Sequence, residues 1–212
     1  MVTFYQDVDF TFAILFNLKG KKMKSLTILL VCCVLGISVF GQSKNEVKRK
    51  GLVFGFSTGI ANSNLNFPTK DQNNTNLAIN WKVGYMLNPK FALLVNGAVS
   101  IYEYDLTDRK RFRDFGGVFA SAQYFVTGKF WALGGIGIGT DAPVFYDLKP
   151  ENNLETKYYS GIGLISSTGY EIYRKNNFAL DIQARINYSS INLPIGKTNG
   201  FTTALLLGIN FN

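Results

Sequence analysis

The chain has 212 residues, enough for one ordinary domain, and its 17% charged residues, 15% aromatics, 21 glycines and 5 prolines exclude a disordered or coiled-coil chain in favour of a strand-rich one. It contains no histidine, which removes the commonest general base and metal ligand, and its two cysteines, Cys32 and Cys33, sit side by side in an apolar run expected to be cleaved off. The formal net charge of +8 invites nucleic acid or an anionic surface, but the basic residues gather in the N-terminal segment and the predicted loops. No recognition helix or stacking platform accompanies them, so a nucleic-acid partner is not expected.

From Met23 a lysine, an apolar stretch from Leu26 to Phe40 and small residues around Gly41 follow the order of a secretory signal peptide. The apolar run is shorter than the roughly 20 residues of a spanning helix, so residues 23–41 are expected to be removed and not retained as an anchor. Residues 1–22 then read as an extension from a start codon set too early. Residues 42–50 form a basic periplasmic segment, residues 51–212 the domain, and without residues 1–41 the net charge falls from +8 to about +6.

Eight strand patterns follow. Gly51 to Ile60 alternates Leu52, Phe54, Phe56, Thr58 and Ile60 with glycine, valine and serine, and a polar loop is expected over residues 61–76. Leu77 to Leu87 sets Ile79, Trp81, Val83 and Tyr85 against Asn80, Lys82 and Gly84, and ends in an Asn88-Pro89-Lys90 turn. Phe91 to Tyr104 is the third strand, followed by a charged loop over residues 105–113. Phe115 to Val126 is the fourth, closed by Thr127-Gly128-Lys129. The glycine-rich fifth, Phe130 to Thr140, leads to a loop over residues 141–157, and Tyr159 to Tyr173 is the sixth. The seventh, Phe178 to Tyr188, is the clearest: six apolar positions on one face oppose Ala179, Asp181, Gln183, Arg185 and Asn187 on the other. A loop over residues 189–199 precedes the last strand, which runs to Phe211.

Long and short connections alternate, as in an up-and-down barrel with tight turns at one end and longer loops at the other. Phe91, Phe130 and Phe178 each open a strand after a short turn and predict an aromatic girdle. Tyr102, Tyr104, Tyr158, Tyr159 and Tyr188 suggest a second girdle at the opposite rim. Alternation alone also fits a soluble lipocalin-like lipid-binding barrel. Charge separates the two, since the strands carry only Lys82, Glu103, Glu171, Asp181 and Arg185, whereas a water-facing surface is roughly a quarter to a third charged. Strands of about 11 residues tilted near 45° also rise about 25 Å, the height of a barrel's apolar band. The expected fold is therefore an all-β, eight-stranded antiparallel transmembrane barrel.

The Gly169-Tyr170-Glu171 entry to a short turn, the Phe178 to Tyr188 strand and the closing Leu207-Gly208-Ile209-Asn210-Phe211 resemble the outer-membrane barrel families of Bacteroidota, similar to small OmpA-type and OmpW-type barrels. The resemblance implies an outer-membrane location, insertion by the barrel-assembly machinery, and outer-membrane lipid and lipopolysaccharide as surroundings. In this chain the terminal aromatic is penultimate, Phe211 before Asn212.

Lys82, Glu171, Asp181 and Arg185 share the predicted inner face, and a mutually paired lumenal charge network is expected of them, because buried charges are tolerated when paired. Such a lumen is largely plugged; a narrow OmpW-like channel for small or apolar solutes is the alternative. Arg109, Lys110, Arg111 and Arg113 form a basic loop suited to lipopolysaccharide phosphates, with a merely solvated loop as the plain reading. Gly134 to Gly139 lacks the helix that a dinucleotide fingerprint needs. With no nucleophile or metal set beside Glu171 and Asp181, and no histidine for the acyl-transfer or deacylase chemistry of barrel enzymes, no enzymatic activity and no cofactor are expected, and the protein is expected to be a monomer.

Overall fold

The computed structural model describes residues 49–104, 111–144 and 157–212. The expected extension at 1–22 and the signal peptide at 23–41 lie outside them, as does most of the basic segment at 42–50. The described residues form eight antiparallel strands, β1 (Gly51–Asn66), β2 (Asp71–Asn88), β3 (Phe91–Tyr104), β4 (Arg111–Phe125), β5 (Phe130–Pro143), β6 (Tyr159–Lys175), β7 (Phe178–Leu193) and β8 (Gly196–Phe211). Each pairs with its sequence neighbours and β8 pairs back with β1, so the sheet is a closed barrel.

The register fixes its geometry. The row of directly paired residues that starts at Gly55 passes through Lys82, Asn96, Phe119, Gly137, Gly163, Ser189 and Gly200 and re-enters β1 at Leu65, ten residues further on. With strands about 4.8 Å apart and about 3.3 Å per residue, that stagger corresponds to a tilt of about 40°, within the range that lets eight strands close around an interior just filled by side chains.

Outward positions from Leu52, Leu87 and Phe211 at one end to Leu77, Ile138 and Phe201 at the other form an aliphatic and aromatic belt with large exposed hydrophobics on every strand. Among the described residues, no charged side chain points outward within it. At one rim the connections are tight: Pro89-Lys90, residues 126–129, and Asn176-Asn177, where Asn176 takes a φ of 52° that asparagine tolerates. Phe91 pairs with Tyr124, Phe130 with Tyr170 and Phe178 with Phe211 near this turn-side rim, giving the expected girdle.

The opposite rim departs from the sequence reading. Strands β1 and β2 continue to an Asn66–Asp71 pair where a loop was expected, and β7 and β8 continue to Leu193–Gly196, leaving the two-residue Pro194-Ile195 connection in place of a long loop. Beyond the belt the outward positions become asparagine and threonine, so the apolar alternation stops while the backbone ladder goes on. Asn62 donates to Asn73 and Thr75 at 2.9 Å each, Asn64 donates to Asn62, and Asn73 donates to Asn64. The expected second tyrosine girdle is only partial. Tyr188 faces outward, but Tyr102 is fully buried, and Tyr104 and Tyr159 pack beside it around Leu65, Phe67, Phe115 and Ile191 inside the barrel.

Two cross-strand pairs explain part of the glycine content. The Trp81 indole lies across Gly97 on the outer face, and the Trp131 indole lies across Gly169 on the inner face; a Cβ at either glycine would come within 2.3 Å of the ring.

Candidate functional site

The interior is the candidate site, and it is built in storeys. Next to the turn-side rim, Val53, Met86, Ala92, Leu94, Phe119, Phe125, Trp131 and Leu133 form an apolar layer. The β6 residue Glu171 closes its edge. Glu171 Oε2 lies 2.8 Å from Arg49 Nη2, and its Oε1 lies 2.7 Å from Arg174 Nη2. Arg49, just ahead of β1, also donates to the Gly128 carbonyl at 2.7 Å and stacks 3.6 Å above the Phe125 ring. Arg174 reaches the Asn212 side-chain oxygen at 2.6 Å. The segment ahead of β1, the end of β6 and the residue after β8 thus meet at one cluster, the first through Glu171 and the last through Arg174.

Above it, the Asp181 carboxylate accepts from Trp131 Nε1 at 3.1 Å, Gln183 Nε2 at 2.8 Å and Asn210 Nδ2 at 2.9 Å. Lys82 donates to Gln123 at 3.1 Å and places its ammonium 4.4 Å from the Trp131 ring centroid. Trp131 therefore stands between the two charges, giving its N–H to the anion and its face to the cation. At mid-lumen the Arg185 guanidinium crosses to the far wall and donates to the carbonyls of Ile79 and Val99 at 3.0 and 3.2 Å and to Ser100 Oγ at 2.8 Å.

The expected network of Lys82, Glu171, Asp181 and Arg185 is corrected in part. All four face inward and are buried, but they are not joined in mutual ion pairs. Glu171 is held by two arginines outside the set, Asp181 by neutral donors, and Arg185 by carbonyl dipoles on β2 and β3. The reason is geometric: Asp181 and Arg185 are four residues apart on β7, about 13 Å along a strand, and no sequence pattern tells which wall of the lumen a long side chain reaches.

Near the far rim, Arg113 Nε lies 2.7 Å from Asp141 Oδ1, and its Nη2 donates to the carbonyls of Asp141 and Lys157 at 3.0 and 3.1 Å. The Tyr102 hydroxyl lies 3.0 and 2.9 Å from the two Asp141 carboxylate oxygens. This cluster lies beyond the apolar belt, and burial there pushes the Asp141 carboxyl up while the Arg113 guanidinium pulls it down. The rings of Tyr104 and Tyr159 flank Arg113. A cavity of 30 Å³ beside them, bordered by Leu193, Pro194 and Ile195, has room for about one or two waters.

The proposed basic loop is corrected here as well. Arg111 and Arg113 belong to β4 and are buried, 6% and 2% exposed, so neither is presented to a lipid phosphate. Arg109 and Lys110 lie outside the described residues.

Among the described lumenal residues, Asp141, Arg49 and Trp131 carry no role in the sequence analysis, while Tyr102 and Arg113 are assigned there to an outer girdle and a basic loop. Parity places three of these five in the lumen. Asp141 continues the inward series Gly135, Gly137, Gly139; Arg113 precedes Phe115 in the same frame; and Tyr102 follows Ser100.

A closed ring of eight antiparallel strands with tight turns at one rim, strand extensions at the other and a belt of apolar side chains outside is the architecture of the small outer-membrane barrels. Among solved structures the chain is similar to Ail, the attachment invasion locus protein of Yersinia pestis, with a TM-score of 0.50 and 16% identity over 77% of this chain and 100% of Ail. It is also similar to Neisserial surface protein A, with a TM-score of 0.50 and 18% identity over 74% of this chain and 96% of that one. Likeness at this level of identity establishes the fold. No protein-family model matches the chain, and a search of curated proteins finds no match either.

Proposed function

We propose that the chain is an outer-membrane barrel with a structural or interaction role and a plugged lumen, its turn-side rim in the periplasm and its strand extensions outside the cell. The observation that carries this reading is the combination of an uncharged apolar belt on every strand with an interior filled by buried side chains. A soluble lipid-carrying barrel would need the reverse, a polar exterior and an apolar cavity of several hundred Å³. The outer-membrane lipids are the partners this belt fits, with delivery by a signal peptide and insertion by the barrel-assembly machinery as part of the same proposal.

The OmpW-like channel is opposed by the filling. Trp131, Phe125 and Phe119 obstruct the turn-side half, and Phe115, Tyr102 and Leu65 obstruct the other. Two measurements test the proposal. Expressed protein should fractionate with outer membrane and migrate faster unboiled than boiled on a detergent gel; recovery as a soluble periplasmic product overturns the membrane reading. Purified barrel in a planar bilayer should show no reproducible single-channel steps, and steps that change in Arg185→Gln overturn the plugged reading alone.

A further inference from the structure

Among the described residues, each buried carboxylate of the lumen is already served: Glu171 by Arg49 and Arg174, Asp181 by Trp131, Gln183 and Asn210, and Asp141 by Arg113 and Tyr102. Arg185 is served by none of them. Its side chain is 1% exposed, its partners are two carbonyls and a hydroxyl, and no protein group takes up its Nε–H. A full charge at the centre of a barrel is thereby left without a counter-charge, where low dielectric makes that costly.

The surroundings of Arg185 share this property. Asn187, two residues along β7 on the same face, has neither its amide nitrogen nor its oxygen bonded to protein. It pairs in register with Thr202, and Thr202 with Ser63, so the three stand in one row across β7, β8 and β1. Both hydroxyls are fully buried and take no protein partner. Asn80, beside the Ile79 carbonyl that receives Arg185, has an unpaired buried oxygen. On the neighbouring strands β8, β1 and β2, Ala204, Ala61 and Ala78 form a small buried apolar cluster with Leu206.

We propose that this mid-lumen storey is a binding site for one small monovalent anion of halide size. Arg185 Nε, Asn187 Nδ2 and the hydroxyls of Thr202 and Ser63 supply the donors, and the anion supplies the counter-charge that no carboxylate provides. The donor set is what an anion asks for, N–H and O–H groups around one fixed cation. Phe115 and Phe119, both fully buried and four residues apart on the inner face of β4, would help hold the ion in place as a bound structural partner and not as a permeating one. The proposal concerns the interior and does not depend on what covers the belt.

Because the site is closed in the folded barrel, the anion has to be supplied during refolding. Native protein refolded from denaturant into detergent with sodium bromide, then crystallised, is expected to show an anomalous bromide peak within hydrogen-bonding reach of Arg185 Nε and Asn187 Nδ2. Density for water alone at that position overturns the proposal. In solution, at matched ionic strength, native protein refolded in bromide or chloride should melt several degrees higher than protein refolded in gluconate, which is too large for the site, with a saturable dependence on halide concentration. Arg185→Gln, and independently Asn187→Leu, should flatten that dependence. An equal halide response in both variants, or none in the native protein, also overturns it.

Discussion

The two ends of the barrel are closed by the same chemistry drawn from different distances along the chain. At the turn-side rim, Glu171 gathers Arg49, 122 positions away, Arg174 and, through Arg174, Asn212. At the far rim, Arg113, Asp141 and Tyr102 come from the adjacent strands β3, β4 and β5. The first is a clasp on the closing seam of the ring, with two cations on one anion. The second is a local brace with one cation, one anion and a phenol. Buried pairs are weak evidence of net stability, but breaking one is costly because the remaining charge stays buried. The clasp therefore has more to lose, and its loss should be felt both ahead of β1 and after β8.

The largest effect is expected from Glu171→Gln, which leaves two guanidinium groups without their carboxylate and should cost about 3–5 kcal/mol in reversible urea unfolding from lipid vesicles. Next comes the belt: Leu207→Arg, near its middle, should cost about 2–4 kcal/mol in the same assay, whereas Asn64→Arg on the projecting extension should cost no more than about 1 kcal/mol. Equal costs at the two positions would remove the distinction between belt and extension. At the brace, Asp141→Asn keeps one acceptor oxygen for Tyr102 and Arg113 but removes the charge, and about 1.5–3 kcal/mol is expected. A larger loss there than at Glu171 would reverse the comparison. The smallest effect belongs to Asn64→Ala, at about 0.5 kcal/mol, because the exposed asparagine ladder of β1 and β2 exchanges its bonds readily with water. Hydrogen exchange should show that hairpin opening more often while the belt stays protected.

The parts of this structure that could be read from the sequence are those where the outer solvent changes residue type every second position. Strand β3 runs from Phe91 to Tyr104 as expected, because its outward Phe91, Leu93, Val95 and Val99 alternate with Ala92, Leu94, Asn96 and Ala98. The outer halves of β1 and β2 read as loop because Asn62, Asn64, Asn73 and Thr75 are turn-forming residue types, although their side chains pair across the strands. Inward orientation of Lys82, Glu171, Asp181 and Arg185 followed from parity alone. Their partners did not. Parity assigns a face, but the reach of an arginine across a lumen depends on the stagger of the ring, which is a property of all eight pairings together. Asp141 and Arg113 fell outside the expected strands for the same reason as the asparagines, and Arg49 lay in a basic segment whose charge suggested solvent.

The clasp at Glu171 also has a place in time. Arg49 precedes the first strand and Asn212 ends the chain, so their shared anchor is complete only when the first and last strands have met and the ring has closed. A contact made that late is absent from the folding transition state, and removing it should leave the insertion rate nearly unchanged while speeding extraction and unfolding. What looks like one more ion pair in the static barrel is then the latch that sets how long a finished barrel stays closed.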